Sequence, residues 1–318
     1  MEIKIDSPAW LDKSHPNFIK WQRARELSVE RGKFVQSIVN QKITAKNLIV
    51  LDLGSGEGGT AKVFSENNFV VSFDLSYVRL KRQLNSVISK EGSYPTEKSD
   101  RLNDKDFSLE DSFEMTNKNI PHNIERVNGN AFQLPFANNS FDLIIIQDVI
   151  EHLPDIDSFI AEVKRVLRSN GFIYLSTPNK YSIFNFIADP HFGLPVVSIL
   201  KRKSIKKYFL KYFRKDDYKR NDIAQLLSLD ELIKLFQDDF QIYLNTKFSV
   251  KELFKGNKGI VWSDFHLKLI SFCKLIKLDW ALIKVANDKI GVINNSFTPT
   301  FYVILKKIEP LITRINTK

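Results

Sequence analysis

The feature that most constrains the fold is a glycine-rich loop placed directly after an apolar segment. Residues 47–51 have the length and the branched apolar content of a buried parallel strand, and residues 60–69 suit a helix that packs back against it. Between them lie the glycines that let the chain turn sharply and let a ligand approach the main chain: Gly54, Gly56 and Gly58 or Gly59. This order predicts a loop that binds a nucleotide-type cofactor.

The loop alone leaves the cofactor open. The spacing Gly54-x-Gly56-x-x-Gly59 also fits the dinucleotide fingerprint, and Asp74 stands at the end of the next predicted strand, residues 69–73. A nicotinamide-dependent dehydrogenase has almost the same pattern here. The choice between cofactors therefore depends on residues further along the chain.

Composition places the chain among globular proteins. With 318 residues, of which 43% are hydrophobic, it can bury one large core or one core with a smaller appended region. Cys273 is the only cysteine, which excludes an internal disulfide and a cysteine-based zinc site. Residues 1–12 are mixed and charged, unlike a signal peptide, and no uncharged apolar run is long enough to span a bilayer. We therefore expect a cytoplasmic protein.

Positive charge is concentrated in the C-terminal part. Residues 1–180 hold 23 Lys and Arg against 24 Asp and Glu, whereas residues 181–318 hold 24 against 13. Such asymmetry indicates contact with something anionic, such as phosphate, nucleic acid or a lipid surface, although a solubilising surface has the same composition.

Hydrophobic periodicity predicts alternating strands and helices. Residues 17–42 predict one helix, and Ser228 and Glu231 have the spacing of a capping box at the start of another. Residues 91–122 are acidic, rich in Ser and Asn and poor in aliphatic residues, which predicts a mobile insertion. The remaining predicted strands cover 124–127, 141–146, 171–176, 240–245 and 300–305, and the remaining helices cover 77–88, 155–168, 228–236 and 265–285.

Several motifs follow the glycine loop in a fixed order. They are Asp74 at a strand end, the stretch 128–136 with Ser140-Phe141-Asp142, the stretch Ile150-Glu151-His152-Leu153-Pro154, and Thr177-Pro178-Asn179. In this order the chain resembles the class I S-adenosylmethionine-dependent methyltransferases over about residues 45–180. Dehydrogenases have no such series.

The resemblance implies an α/β fold: a Rossmann-like, doubly wound, seven-stranded sheet, mostly parallel with the last strand antiparallel. Residues 1–44 would form an N-terminal helical cap over the cofactor or the sheet edge. Residues 45–180 would form the cofactor-binding core, and residues 181–318 an acceptor-side region that completes the sheet. The last region would carry a basic helix at 200–220 and a helical insertion at 250–297.

The resemblance also implies residues for S-adenosylmethionine. This cofactor has a sulfonium cation and no pyrophosphate, so acids at strand ends suit it. Asp74 would accept hydrogen bonds from the ribose hydroxyls, with Leu75 beside it, and Asp52 would orient the loop and favour the positive charge. The main chain at Gly54, Gly56 and Gly58 would line the methionine part, Ala131 would give a backbone contact, and Gln147 would close the methionine side. Asn130 replaces the family's usual Asp, but an amide oxygen accepts the same hydrogen bond from adenine.

Two histidines are candidates for the base that O-methylation needs. His152 follows the central strand, and His191 lies in the loop Asp189-Pro190-His191-Phe192-Gly193-Leu194-Pro195. Loops after strand ends shape the acceptor pocket of such folds, although a histidine at the first position also packs against the next helix. Glu151, His152 and Asp189 have the chemistry for a divalent cation, but their spacing does not require one, so no metal is expected.

The acceptor is constrained mainly by exclusion. The central strand lacks the Asn/Asp-Pro-Pro-aromatic sequence of many amino-group methyltransferases, and Cys273 lies too late in the chain for cytosine C5 chemistry. Residues 201–215 predict a helix with one aromatic and one cationic face, which suits an anionic membrane surface or, equally, an internal helix that covers the site.

We therefore expect a methyltransferase that O-methylates a small or lipid-linked anionic acceptor, by resemblance a glycan or surface-polymer precursor, with peripheral contact to the inner face of the membrane. RNA methylation and a non-catalytic scaffold that binds S-adenosylmethionine are the alternatives. No nucleic-acid-binding module is evident, and the oligomeric state is left open by the sequence.

Overall fold

The computed structural model describes residues 13–14, 18–88, 123–220, 222–260 and 264–308. Its described residues form a seven-stranded sheet with helices on both faces. The strands are β1 (Ile49–Leu53), β2 (Phe69–Asp74), β3 (Ile124–Asn128), β4 (Phe141–Gln147), β5 (Leu167–Pro178), β6 (Phe240–Leu244) and β7 (Thr300–Lys307).

The strand order is β3-β2-β1-β4-β5-β7-β6. Pairing is parallel from β3 to β5, and β7 runs antiparallel to both β5 and β6. The predicted doubly wound sheet with an antiparallel last strand is thus confirmed. The carboxyl ends of β1, β2, β4 and β5 meet at one edge, which is where ligands bind in open α/β sheets.

Helices accompany the strands along the chain. They are α1 (Phe18–Glu26), α2 (Ser28–Val39), α3 (Gly59–Phe64), α4 (Tyr77–Ile88), α5 (Ile156–Val166), α6 (Ile183–Ile187), α7 (Arg202–Ser204), α8 (Lys211–Phe213), α9 (Lys215–Tyr218), α10 (Leu229–Phe236), α11 (Thr246–Lys255), α12 (Asp264–Leu275) and α13 (Leu278–Val285). Short 3₁₀ turns cover Ile150–His152 and Val197–Ile199, and π-helical turns cover Ile205–Leu210 and Ile293–Phe297.

Strand alternation sends apolar side chains to two core layers. On one face, α5 and α10 pack against side chains such as Leu51, Ile144 and Ile146. On the other face, α2 and α3 pack against the neighbours in sequence, Val50 and Ile145 among them. Burial on both faces explains why the central strands read as continuous apolar runs.

Most predicted elements lie where expected, and the capping box is present: the Ser228 hydroxyl accepts from the Glu231 N–H, while the Glu231 carboxylate accepts from the Ser228 N–H. The first strand begins two residues late, because Asn47 adopts a left-handed conformation with φ of 58° and the side chain of Asn68 binds the N–H of Leu48. The predicted insertion at 91–122 lies outside the described residues.

Two single helices predicted from the sequence are each divided in the structure. The segment 17–42 forms α1 and α2, which meet at Leu27. The segment 265–285 forms α12 and α13, because Lys277 has a left-handed φ of 58° that ends the first helix. Hydrophobic periodicity continues across both breaks and therefore does not reveal them.

The basic segment 200–220 is also divided, into α7, a π-helical turn, α8 and α9. Ile205 and Leu210 are buried with Phe192, whereas Tyr208 and Tyr212 are exposed. Some of its apolar side chains are thus buried and others face solvent, and both contact with a membrane and coverage of the site stay predictions. Across the described ranges, no helix has the length and apolar character needed to cross a membrane.

Beyond its pairing with β7, the end of β5 contacts the turn before β7 through side chains. Asn179 Nδ2 lies 2.8–3.1 Å from the carbonyl oxygens of Asn294, Asn295 and Thr298. Asn185, in α6, donates in the same way to the carbonyl oxygen of Pro299. These contacts place α6 beside the π-helical turn 293–297.

Candidate functional site

The glycine loop is shaped by three left-handed residues. Gly54, Gly56 and Gly58 have φ angles of 77°, 53° and 74°. A Cβ on Gly58 would lie 2.6 Å from the side chain of Gln83, whereas the nearest atom to a Cβ on Gly56 lies 3.7 Å away, at the tip of Arg79. The side of the loop at Gly56 is therefore the side with room for a ligand against the main chain.

Gly59, the last glycine of the dinucleotide-like spacing, serves packing instead. A Cβ on this residue would lie 2.2 Å from the carbonyl carbon of Ser28 in α2, and one on Gly32 would lie 2.7 Å from the Gly59 oxygen. The two glycines let α2 and α3 approach closely. Glycine is therefore needed at position 59 because α2 packs against it, which does not by itself indicate a dinucleotide.

Asp74 fixes the loop from the end of β2. Its Oδ2 accepts the N–H of Gly56 at 2.8 Å, and its Oδ1 accepts the N–H of Ser76 at 2.8 Å. Each carboxylate oxygen retains a further lone pair for a ligand hydroxyl. Asp74 therefore fixes the loop, and its contact with the ribose of a cofactor stays a prediction.

Asp52 is a buried acid beneath the loop. It is 2% exposed, and its Oδ2 has no hydrogen-bond partner among the residues that the structure describes. Burial raises the pKa of Asp52 to about 7, helped by the negative charge of Asp74 and opposed by a hydrogen bond from the Ala61 backbone. A cation near the loop would favour the ionised form.

The residues expected around adenine lie at the same edge. Leu75, beside Asp74, is about half exposed, and Ala131 packs against the core. The Oδ1 of Asn130 accepts the N–H of Phe132 at 3.1 Å, which makes it a turn residue in this structure. Its side chain is exposed, so the contact with adenine stays a prediction.

Gln147 and Asp148 end the central strand. The Thr60 hydroxyl donates to Gln147 Oε1 at 3.1 Å, which joins β4 to the helix after the glycine loop. Asp148 has a left-handed φ of 54°, and its carboxylate accepts from Arg31 at 2.5 Å and from Ser176 at 2.9 Å. Backbone strain at a non-glycine residue of this kind is typical of functional sites.

The turn after Asp148 lies between the glycine loop, which we also call the donor loop, and the two candidate histidines. Val149 packs so closely on Gly54 that a Cβ there would lie 2.4 Å from a methyl of Val149. Glu151 follows; it is fully buried, and its Oε2 accepts from the Thr177 hydroxyl at 3.0 Å. His191 Nε2 lies 3.9 Å from Glu151 Oε1.

The imidazole rings of His152 and His191 pack edge to face, with centroids 5.0 Å apart and planes at 83°. His152 Nδ1 lies 2.9 Å from the carbonyl oxygen of Asp222. Since a carbonyl only accepts, Nδ1 carries the proton and Nε2 keeps its lone pair. The structure thus brings His152 and His191 together at the expected edge, beside an acid that was considered only as a metal ligand.

Burial shifts the pKa values of Glu151 and His152 in opposite directions. It raises the pKa of Glu151 to about 8, and the nearby charge of Asp148 adds to the rise. It lowers the pKa of His152, partly offset by the bond to Asp222. Near neutral pH the side chains of Glu151 and His152 are therefore mostly uncharged.

Arg202 holds this turn from the basic segment. Its Nη2 donates to the carbonyl oxygens of Glu151 and Leu153, both at 3.0 Å, and its Nε donates to that of Ile223 at 2.6 Å. The sequence did not predict this role of Arg202, or the bond from Arg31 to Asp148. A single arginine in a charged segment does not indicate which distant residue it contacts.

The residues present fit S-adenosylmethionine. The open side of Gly56, the carboxylate of Asp74 and the unpaired Oδ2 of Asp52 together suit a ligand with hydroxyl groups and positive charge. Groove-lining residues of α1, among them Phe18 and Gln22, face Glu57 of the loop. The predicted cap therefore lies next to the cofactor loop.

Known methyltransferases are similar to part of this chain. Residues 51–175 match a family model described as a methyltransferase domain. The demethylmenaquinone methyltransferase of Listeria welshimeri is 30% identical over 123 residues, which are 37% of this chain and 48% of that protein. The Geobacillus stearothermophilus enzyme of the same name is 27% identical over 116 residues, 36% of this chain and 48% of that protein. The chain thus spans about half the length of the curated relatives it matches.

Solved structures with similarity to the chain include phosphoethanolamine N-methyltransferase 2 of Haemonchus contortus with S-adenosylmethionine. The TM-score is 0.49 at 13% identity, covering 95% of this chain and 59% of that chain. A SAM-dependent methyltransferase of Thermotoga maritima gives a TM-score of 0.47 at 14% identity, covering 92% and 97%.

Proposed function

We propose that this chain transfers a methyl group to an oxygen of a small or lipid-linked anionic acceptor. Through residues 51–175 it belongs to the class I S-adenosylmethionine-dependent methyltransferases. S-adenosylmethionine is the cofactor of this family, and when bound it supplies a methyl carbon that is already activated by sulfonium. The protein then has to align the acceptor and allow its proton to leave.

The observation that carries the proposal is the contact between Val149 and Gly54. It puts the turn with Glu151 and His152 directly against the donor loop, and His191 completes the group from a different loop. An imidazole lone pair beside the donor loop can accept the proton of an acceptor hydroxyl. The hydroxyl oxygen becomes nucleophilic as this proton is withdrawn. The aligned oxygen then forms a bond to the methyl carbon, and sulfur leaves with the electron pair.

A lipid-linked acceptor is supported by an exposed apolar segment at the same edge. We call this segment, Tyr181 to Ile187 with α6 at its centre, the apolar edge segment. Its exposed members are Tyr181, Ile183, Phe184, Phe186 and Ile187. It follows β5 directly, so a lipid tail lying on it would leave the head group near the strand ends.

Charge supports the anionic character of that acceptor. Residues 181–318 carry 24 Lys and Arg against 13 Asp and Glu. Two of these lysines lie over exposed rings, Lys207 over Tyr208 and Lys211 over Tyr212. Aromatic rings with lysines beside them suit the headgroup layer of an anionic membrane, where the acceptor would be presented.

A quinone-type acceptor is the second candidate. The relatives from Listeria welshimeri and Geobacillus stearothermophilus are named demethylmenaquinone methyltransferases, and the apolar edge segment suits an apolar acceptor equally well. The family match ends at residue 175, so it supports the donor half and leaves the choice of acceptor to the residues that follow.

The first experiment is calorimetric titration of S-adenosylmethionine into the wild type, Asp74→Ala and the control Glu66→Ala, an exposed acid after α3. We expect wild type and control to bind alike. Asp74→Ala should lose at least about tenfold in affinity, since hydrogen bonds to a charged group contribute about 1.5–3 kcal/mol each. Absence of binding to a folded wild type would refute the donor assignment.

The second experiment follows labelled methyl transfer to lipid-linked sugars, free sugar phosphates and reduced quinones, each supplied separately. Label on a hydroxyl oxygen of the sugar acceptors supports the proposal. Label on a quinone ring alone would replace it with the second candidate.

A further inference from the structure

We propose that Glu151, His152 and His191 form a binding site for a first-row divalent cation such as Mn²⁺, Fe²⁺ or Zn²⁺. Each side chain offers one ligand atom, and these atoms all lie within 4.8 Å of one another. One carboxylate oxygen and two imidazole nitrogens are a donor set that these ions prefer, and Mg²⁺ and Ca²⁺ suit it less well.

The distances are compatible with closure around an ion. Such ions bind nitrogen and oxygen at about 2.0–2.2 Å, so two ligands of one ion lie at most about 4 Å apart. Glu151 Oε1 and His191 Nε2, at 3.9 Å, already meet this limit. The widest pair needs a shift of under about 1 Å, which rotation of the partly exposed His191 ring supplies.

The buried carboxylate gives an independent indication of a ligand. Glu151 is 0% exposed, and Thr177 holds its Oε2. Its Oε1 has no hydrogen-bond partner within the described part of the chain. A buried oxygen left without a hydrogen bond is costly and rare. A cation between this oxygen and the imidazoles would satisfy it.

One histidine is held as metal ligands are usually held. The carbonyl oxygen of Asp222 accepts the Nδ1–H of His152, which leaves the lone pair of Nε2 for an ion. A carbonyl on the far side of a ligating histidine fixes its tautomer and orientation. Asp189 Oδ1, 4.0 Å from His191 Nδ1, is beyond hydrogen-bond distance and adds a negative charge beside the second ring.

This set differs from the one that the sequence suggested. The sequence, which did not require a metal, offered Asp189 with Glu151 and His152, but Asp189 Oδ1 accepts the N–H groups of His191 and Phe192 at 2.9 and 3.0 Å. It therefore shapes the loop, and His191 takes the ligand position. The spacing within each loop did not indicate this, because the third ligand comes from a second loop.

The role of the cation rests on the proposed function. Three protein ligands leave positions open for the oxygen of an acceptor hydroxyl, whose pKa the cation lowers. The hydroxyl proton leaves to water, the oxygen–carbon bond forms, and the carbon–sulfur bond breaks with its electron pair on sulfur. With the cation bound, the imidazole lone pairs hold the cation and no longer take the acceptor proton, and the open position orients the acceptor.

The test measures Mn²⁺ binding to tag-free full chain by electron paramagnetic resonance, with Zn²⁺ as competitor. The variants are Glu151→Gln, His191→Ala and the control Asp238→Asn, an exposed acid at the opposite end of the sheet. Circular dichroism and thermal melts establish that each variant is folded. S-adenosylmethionine binding is titrated in the same samples without metal.

We expect one saturable Mn²⁺ site per chain in the wild type and the control. Both site variants should lose at least about tenfold in affinity, and Zn²⁺ should displace Mn²⁺. No saturable binding to the wild type, or equal affinity in a folded His191→Ala variant, would overturn the cation site and leave the donor assignment intact. Conversely, metal binding without S-adenosylmethionine binding would overturn the proposed function and leave the site.

Discussion

Glu151 Oε1 lies 3.9 Å from His191 Nε2, although the two residues come from separate loops at the carboxyl edge of the sheet. Val149, just before this glutamate, packs on Gly54 of the donor loop. One turn therefore contacts the glycine loop on one side and His191 on the other. Changes that move this turn should affect both halves of the site.

Arg202 should hold that turn in place. Arg202→Ala removes three hydrogen bonds from a charged donor to carbonyl oxygens, so we expect the free energy of unfolding to fall by about 2–4 kcal/mol. Lys203→Ala, the exposed neighbour with the same charge, should change it by under about 0.5 kcal/mol. Urea denaturation measures both, and equal effects would show that the loss is one of charge alone.

Gly59 should be required for the contact between α2 and α3. Gly59→Ala places a Cβ 2.2 Å from the carbonyl carbon of Ser28, and we expect a cost of about 1–3 kcal/mol or more in stability from overpacking. Gly291→Ala, where a Cβ meets nothing within 4 Å, is the matched control and should be near neutral. A thermal melt of Gly59→Ala that matches the wild type would contradict the close approach.

The buried Asp52 predicts a pH-dependent stability. Its pKa is raised from 3.8 to about 7 in the folded chain, so the folded state binds more protons than the unfolded state between these values. Stability contributed at low pH is therefore lost as pH rises toward 7. Relative to Asp52→Asn, the wild type should lose about 2–3 kcal/mol between pH 5 and pH 8.

Urea titrations of both proteins at pH 5 and pH 8 measure this difference directly. The comparison with Asp52→Asn cancels the contributions of other titrating groups. A difference that stays constant across the two pH values would show that Asp52 is ionised in the folded chain throughout this range.

The apolar edge segment should contribute to membrane contact. Phe184 and Ile187 are 54% and 63% exposed, and changing both to Ser should weaken binding to vesicles of phosphatidylglycerol and phosphatidylcholine by about tenfold. Ile19→Ser is the control, since Ile19 on α1 is an apolar residue with an even larger exposed fraction. Unchanged cosedimentation of the double variant would remove this segment from the membrane contact.

The charged part of that contact should be separable from the apolar part. Reversing Lys207 and Lys211 to Glu should abolish the preference for anionic over neutral vesicles, since each lysine near the surface contributes about 1 kcal/mol. Lys206 is left unchanged because its Nζ donates to the carbonyl oxygen of Arg220. Retained preference in the reversed variant would point to other lysines or to a different anionic ligand.

Much of the donor half could be predicted from sequence because its signals are local. The apolar run of β1, the glycines after it and the acid that ends β2 are close together along the chain, and the parallel sheet then fixes where they meet. The capping box at Ser228 was equally readable, since both of its partners lie in one helical turn.

The contacts around His191 and Arg202 could not be predicted from the sequence because their partners are distant along the chain. Nothing near His191 indicates Glu151 as its neighbour, and nothing near Arg202 indicates three distant carbonyl oxygens. The helix breaks at Leu27 and Lys277 were not predicted for another reason. The apolar periodicity continues through both positions, and the helices end there because of packing at Leu27 and the left-handed conformation of Lys277.

Asn179 shows how the two halves are joined. Its side-chain amide lies against three carbonyl oxygens of residues 294–298, whereas β7, which follows them, pairs with β5 as part of the sheet. The turn 293–297 is outside that pairing, so it can be exchanged without rebuilding the sheet. Grafting experiments that aim to change which molecule is methylated should therefore keep β5 through Asn179 together with β6 and β7, and replace the turn that Asn179 holds.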